Sequence, residues 1–583
     1  MIKKLLLHLG EYKKFLWLVP ILVLLDVLCE LSMPLLMARV IDIGIPGRDV
    51  QYIMKIGLNM IVLALLAITF GVLLMFFTTK IAMGFGANLR NALFEKVAAF
   101  SFNNIDKFST ASLITRLTND VNIIQMTFMM MMRLLMRAPM MLIIAFILAY
   151  SINAELSVIM AVAIPLLSGG ILLIMRTATR RFTIVQQKVD AMNNILQENL
   201  IGIRVVKSFV RGDFEIQKFS NANDDLTNAA IRAVNIIILN FPWMMLVMNC
   251  ATIAVIWFGG KMVFAGGLGA GELVSYISYM FQILMSVMML SFVIMMSARA
   301  QASGKRLIEV LDEPIDIVNR TPASGEKKPL TVRSGKVEFR NVSFKYNLEG
   351  SGENVLSAIN FTAQPGEVIG IVGGTGTGKT TLVHLIPRLY DVTEGAVLVD
   401  DVDVRDYDIE VLRDKISVVL QNNTLFTGTI RENLLWGNQN ATQEEIEEAC
   451  KNAQAHDFIM SFPDGYETVL GQGGVNVSGG QKQRLCIARA MLKKPKILIL
   501  DDSTSAVDSS TEAKIRESFY KSLAGTTVFI IAQRISSVRE ANKIIVIDDG
   551  KIAGIGTHAE LIENNRIYQE IYASQQEGVL ANG

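Results

Sequence analysis

Cysteine is scarce in this chain, and Cys29, Cys250, Cys450 and Cys486 lie far apart with no CxxC pair among them. That excludes a disulfide framework or a zinc site as the organising device and leaves the four as reduced filler side chains. Net charge is nearly absent as well, +1 over 583 residues, so the total offers nothing to nucleic acid or to an acidic partner. No cleavable leader stands out. Lys3, Lys4, Lys13 and Lys14 precede an apolar run too long for a signal-peptide core, so that run is expected to stay in the mature protein. What the chain has in excess is apolar residues. At 51% hydrophobic, with a mean hydropathy of +0.40, it is too apolar for an ordinary soluble enzyme and too long for one core.

Six apolar runs, 15–36, 56–79, 130–151, 156–176, 241–264 and 273–297, are long enough for a hydrocarbon core that needs about 20 helical residues. The second and sixth carry no charge over Ile56–Thr79 and Leu273–Met296, whereas Arg133 and Arg137 fall in the first turns of the third. The loops 80–129 and 177–240 are rich in Lys and Arg, and the connections 152–155 and 265–272 have none. By the positive-inside rule the long loops and both termini are cytoplasmic. Their apolar spacing stays helical, as in Val185–Leu196, so the spans are expected to run on as helices beyond the membrane. Short helices are expected at the hairpin tips, 104–113 and 207–216. There Phe209 and Phe214 either dock on something or fold back on their own hairpin.

Asp26 and Glu30 share one face of the first span. Intramembrane carboxylates leave two readings, a substrate contact or a structural pair with Arg133 or Arg137. The methionine-dense third span (Met129–Met132, Met136, Met140, Met141) likewise fits either a surface that repacks around varied ligands or ordinary helix and lipid packing.

Residues 1–312 thus form a membrane domain, 313–336 a polar, proline-bearing linker, and 337–583 a soluble domain. The soluble domain opens with an alternating strand, Val337–Tyr346, whose Tyr346 is placed to stack on an adenine. The buried strand Glu367–Gly373 then runs into Gly373-Gly374-Thr375-Gly376-Thr377-Gly378-Lys379-Thr380, followed by Thr381 and a helix. This is a P-loop: backbone N–H groups cradle phosphates, Lys379 neutralises them and Thr380 ligates Mg²⁺. The apolar strand Leu498–Leu500 delivers Asp501 to its C-terminal end, where it can hold the Mg²⁺ shell. Asp502 follows, one methylene shorter than the glutamate that would polarise an attacking water. Gln421, after the strand Ile416–Leu420, is placed to reach Mg²⁺ or that water. Ser478-Gly479-Gly480-Gln481 opens a second helix as another anion-binding N-terminus, which the chain's own P-loop does not need and a second chain would.

Taken in this order, the whole chain resembles an ATP-binding-cassette (ABC) exporter half-transporter. The resemblance implies a fold of six transmembrane helices plus an α/β P-loop nucleotide-binding domain. It implies binding of ATP and Mg²⁺ and head-to-tail pairing with a second half-transporter. Each ATP would lie between one P-loop and the opposite Ser478–Gln481 motif, joined by Asp508 of the Ser505-Ala-Val-Asp508 loop. The hairpin tips look like the family's coupling helices. Two positions depart from the family pattern: Asp502 stands where the catalytic glutamate belongs and Gln533 where the switch histidine belongs. Gln472 also replaces an acidic residue usual before the signature motif. A shorter carboxylate reaches the water poorly and an amide relays no proton, so the chain is similar to the degenerate-site subunit of a heterodimeric multidrug-type bacterial exporter. An active homodimer using Asp502 as a slow base is the alternative, and an ATP-gated channel or regulatory membrane subunit is the rival class.

Overall fold

The structure is a computed structural model and describes residues 2–320, 330–346, 353–502 and 507–580. Part of the linker, and Ser505 and Ala506, lie outside the described residues. The chain divides into two compact units, Met1–Ala98 with Thr110–Glu313, and Ala99–Ser109 with Pro314–Gly583.

The first unit is helical, as backbone in hydrocarbon must be if every N–H and C=O is to find a partner within its own segment. Among the described residues, six helices are long and apolar enough to cross a membrane. They are Leu18–Gly44, Val50–Ala98, Thr110–Ile152, Ala154–Ile201, Gly212–Phe264 and Ala270–Leu290, the last part of a helix reaching Asp312. Each overlaps one expected span, and the spans do run on: Val50–Ala98 has 49 residues and Ala154–Ile201 has 48. That is roughly 70 Å of helix each. Two boundaries differ from expectation. The first span begins at Leu18 because Leu7–Phe15 is a 3₁₀ segment interrupted at Gly10, φ 54°. Arg133 and Arg137 sit deep within the third helix, which starts at Thr110, and not in its first turns. Pro139 brings no N–H back to the Leu135 carbonyl, and a wide π turn, Met131–Leu135, ends at that residue.

Arg137 makes the pair that one of the two readings of the first-span carboxylates expects. Its guanidinium lies 2.9 Å from Asp26 Oδ2 and also bonds Glu30, with Asp26 buried. The expected ion pair is present, with Arg137 as its arginine. Short helices do occur near the hairpin tips, a few residues earlier than expected, at Phe102–Phe108 and Ile203–Ser208. Ser101 caps the first in a reciprocal box with Asn104, and Ser109 at φ 54° ends it. Gly202 breaks the long helix ahead of the second. Phe209 and Phe214 are 72% and 61% exposed, so they do not fold back on their hairpin.

The second unit is α/β. Its twelve strands among the described residues are β1 (Val337–Phe344), β2 (Leu356–Ala363), β3 (Val368–Gly373), β4 (Glu394–Val399), β5 (Val402–Asp403) and β6 (Ile416–Val419), then β7 (Gly428–Thr429), β8 (Val469–Leu470), β9 (Ile497–Asp501), β10 (Thr527–Ile531), β11 (Lys543–Asp548) and β12 (Lys551–Gly556). The main sheet has the order β12-β11-β3-β10-β9-β6 and is parallel except for its β12 edge. β3, β9 and β10 are near-continuous apolar runs because both faces are covered, one by a core with Leu498, Leu500 and Ile530, the other by a core with Ile369, Ile371 and Phe529. A smaller antiparallel sheet, β2-β1-β4-β5, closes the second core. Parallel pairing puts the C-terminal ends of β3, β10, β9 and β6 side by side, which is where ligands bind in open α/β sheets.

Candidate functional site

The register fixes what converges there. Ile531 pairs with Asp501 and with Ile371, and Val419 pairs with Leu500. The loop after Gly373, Asp501 and Asp502, Gln533 and Gln421 therefore leave the same edge, each within a few residues of its strand.

The loop after β3 folds through Gly376 at φ 83° and Gly378 at φ 95°. At Gly378 a Cβ would sit 2.8 Å from Leu356 Cδ2 and 3.0 Å from the Val355 carbonyl, so both the dihedral and the space call for glycine. Lys379 turns back over the loop and its Nζ donates to the carbonyls of Gly373, 2.9 Å, and Gly374, 2.6 Å. Thr380 Oγ1 donates to Asp501 Oδ1 at 2.9 Å. Tyr346 lies at the rim, its hydroxyl 2.7 Å from Thr381 Oγ1 and its ring edge-on to Tyr390 at 5.2 Å.

The two carboxylates are both enclosed. Burial pushes the Asp501 carboxyl up, against the Thr380 hydrogen bond and the Lys379 charge. Burial also pushes Asp502 up, reinforced by Asp501 and opposed by hydrogen bonds from Gln533 and Gln421 and by Lys379. Gln533 Nε2 donates to Asp502 Oδ2 at 2.5 Å. Asp502 is 9% exposed and holds φ 48°, a left-handed conformation uncommon outside glycine and the Asn/Asp group, with its N–H bonded to the Ile531 carbonyl at 3.1 Å. The Lys379 ammonium is pushed down by burial and held up in part by Asp502 and Asp501.

A second group stands apart, and among the described residues no hydrogen bond or ion pair joins it to the P-loop. Ser478 caps the helix Gly479–Leu492 in a reciprocal box with Gln481, which leaves the Gly479-Gly480 turn at an exposed helix N-terminus. Arg484 on that helix lies over Phe458, 4.6 Å from its ring centre, and feels the charge of Asp508. Asp508 caps the helix Ser509–Ser522 through the Thr511 N–H, 2.9 Å, and with the Ser510 hydroxyl this holds its carboxyl well below the usual range.

Sequence reasoning missed His384. It lies four residues after Thr380 on the same short helix face, with Nε2 3.9 Å from Asp501 Oδ2, and burial pushes its imidazole down. That spacing was the available signal. Also missed was Tyr390, whose hydroxyl donates to Asp106 of the Phe102–Phe108 helix at 2.9 Å. Phe102 packs against it edge-on at 6.0 Å. This docks the short helix within the second unit.

Residues 16–287 match the ABC transporter transmembrane region family and residues 356–505 match the ABC transporter family. The chain is 40% identical over 556 residues to the ABC transporter ATP-binding protein YfiB of Bacillus subtilis (strain 168), covering 95% of each. It belongs to the ABC transporter family. The ATP-dependent lipid A-core flippase of Syntrophus aciditrophicus (strain SB) is 36% identical over 489 residues, 84% of this chain and 80% of that one. A solved structure of a bacterial Atm1-family ABC exporter with ATP bound superposes with a TM-score of 0.80 over 97% of this chain and 99% of that one, at 23% identity. The exporter thus carries its transmembrane and ATP-binding parts on one chain, and it is a multi-pass membrane protein.

Proposed function

We propose that this ABC exporter is one half of a complex of two non-identical chains, that its own ATP site holds nucleotide but hydrolyses it slowly, and that the pair moves a small amphipathic or hydrophobic substrate out across a bacterial cytoplasmic membrane. One observation carries the slow site. Asp502, already short for its task, is buried with its carboxylate bonded by the amides of Gln533 and Gln421. Amide groups donate hydrogen bonds but neither store nor pass a proton, so position 533 cannot share in water activation as an imidazole would.

The residues present fit ATP and Mg²⁺. Thr380 Oγ1 and Asp501 Oδ1, hard oxygens 2.9 Å apart, suit a Mg²⁺ shell. When bound, Mg²⁺ supplies neutralisation of the phosphate charge. Lys379 would exchange its loop carbonyls for phosphate oxygens, the loop N–H groups would orient them, and Tyr346 would stack on the base. Gln421 contacts Asp502, the residue next in the chain to Asp501. ABC exporters work as dimers, and the separate group around Ser478 and Asp508 supports a role at the partner's nucleotide. The lipid A-core flippase among the relatives supports an amphipathic cargo.

Copurifying the chain from its native membrane identifies the second half. ATPase of the complex should then barely change with Asp502→Asn and collapse when the partner's equivalent carboxylate is removed. If Asp502→Asn removed most of the turnover, the homodimeric exporter would be the better account.

A further inference from the structure

The helix Arg566–Leu580 returns to the nucleotide-binding edge, and one side chain on it reaches the backbone of the segment that carries Gln533. Tyr568 is fully buried with its hydroxyl 2.8 Å from His558 Nδ1, and Ile571 and Tyr572 pack on the core one turn later. Gln575 comes next on the same stripe, where the i, i+3, i+7 rhythm calls for an apolar residue. Its amide does two things at once. Nε2 donates to the Gln533 carbonyl at 2.8 Å, and Oε1 accepts the Ile535 N–H at 2.9 Å. One planar group thereby fixes the peptides on both sides of Arg534 and so the direction in which Gln533 leaves the backbone. Gln533 spends that direction on Asp502, 2.5 Å away.

We infer that Gln575 is a positioning residue of the ATP site: it clamps the switch segment so that Gln533 stays on Asp502, and the C-terminal helix is a working part of nucleotide retention. This rests on the proposed reading of Gln533 as the residue that stands at the switch-histidine position beside Asp502. A bond to each of two backbone groups is more than helix docking requires, because Tyr568, Ile571 and Tyr572 already anchor the helix.

The test is hydrogen exchange on the full-length chain in lipid nanodiscs, with release of a fluorescent Mg–ATP analogue as the second readout. In Gln575→Ala the Ile535 amide should exchange roughly tenfold faster, the loss of one partly buried hydrogen bond, while strand Thr527–Ile531 and the turn around Tyr568 keep their protection. Gln575→Glu keeps an acceptor for Ile535 and loses the donor to Gln533, so Ile535 stays protected. Analogue release should quicken about three- to tenfold in both variants. Gln576→Ala, at an exposed neighbouring position, should change neither readout. Unchanged Ile535 exchange in Gln575→Ala would overturn the clamp. So would equal acceleration around Tyr568, since Gln575 would then only hold the helix down. Fast hydrolysis by the unmodified chain would sink the slow-site reading and leave the exchange result standing, and the reverse outcome would do the opposite.

Discussion

Replacing Asp502 by Glu and Gln533 by His should restore hydrolysis at this chain's own site in two steps. Asp502 is held from behind, its N–H on the Ile531 carbonyl at 3.1 Å and its φ at 48°, so the backbone will not follow a longer side chain. One more methylene then advances the carboxylate by about 1.5 Å, a C–C bond length. On the slow-site reading, that brings it to a water that Asp502 does not reach. In Asp502→Glu alone the new carboxylate still faces the Gln533 amide, which now bonds Asp502 at 2.5 Å. A gain of about tenfold is expected there, short of the ~10²- to 10⁴-fold that a fully placed base supplies. Adding Gln533→His replaces the amide by a group that can carry charge and relay a proton, and the pair should gain ~10²-fold or more, beyond the product of the single changes. The assay is ATP turnover by the full-length chain in lipid, paired with a second half whose own catalytic carboxylate has been removed, so that turnover reports this site alone. If the unmodified chain already matched the double variant, the slow-site reasoning would fail.

Four further outcomes are expected. Lys379→Ala should weaken Mg–ATP binding at this chain's P-loop at least about tenfold, since it removes the cation that faces the phosphates; equilibrium binding of labelled nucleotide measures it. Ser478→Arg should abolish most ATPase of the assembled pair with this P-loop intact, because the side chain blocks the Gly479 helix N-terminus, and wild-type activity would refute the sharing of sites. Arg137→Met should strand Asp26 in the span and cost ~3–5 kcal/mol, read as lost folded yield in detergent, with Asp26→Asn partly rescuing it. Burial and Asp501 raise the Asp502 carboxyl, so its ionisation opposes folding: stability should fall as pH rises above the ordinary carboxylate value of ~3.9, and Asp502→Asn should flatten that fall in thermal unfolding scans.

The membrane half was legible because its physics is local. A run such as Ile56–Thr79 has one way to satisfy its backbone in lipid, and Val50–Ala98 took it. The ends were less legible. Leu7–Phe15 carries Glu11, Lys13 and Lys14 and turns at Gly10, so only its last residue, Phe15, read as part of the first span, and the third helix holds Arg133 within a π turn that no periodicity encodes. For the ion-pair reading of Asp26, the candidate partners were Arg133 and Arg137, the charges within the third span. Choosing Arg137 needed the packing of the first span against the third.

In the nucleotide-binding unit, legibility tracks distance along the chain. Lys379, Thr380 and the glycines before them act through one loop, so their spacing alone states their chemistry, and Asp501 follows from one apolar strand. The hold on Asp502 is of another kind. Gln421 and Gln533 reach it because β6 and β10 flank β9 in the sheet, and sheet order is not written in any single strand. Gln575 is further still, since its place depends on a helix returning after β12 with Tyr568 sunk in the core. A glutamine interrupting an apolar stripe was the one local trace it left, and only the backbone groups it meets turn that trace into a role. A carboxylate bonded by two amides, one of them steadied by a third, is the arrangement on which the proposed slow site rests.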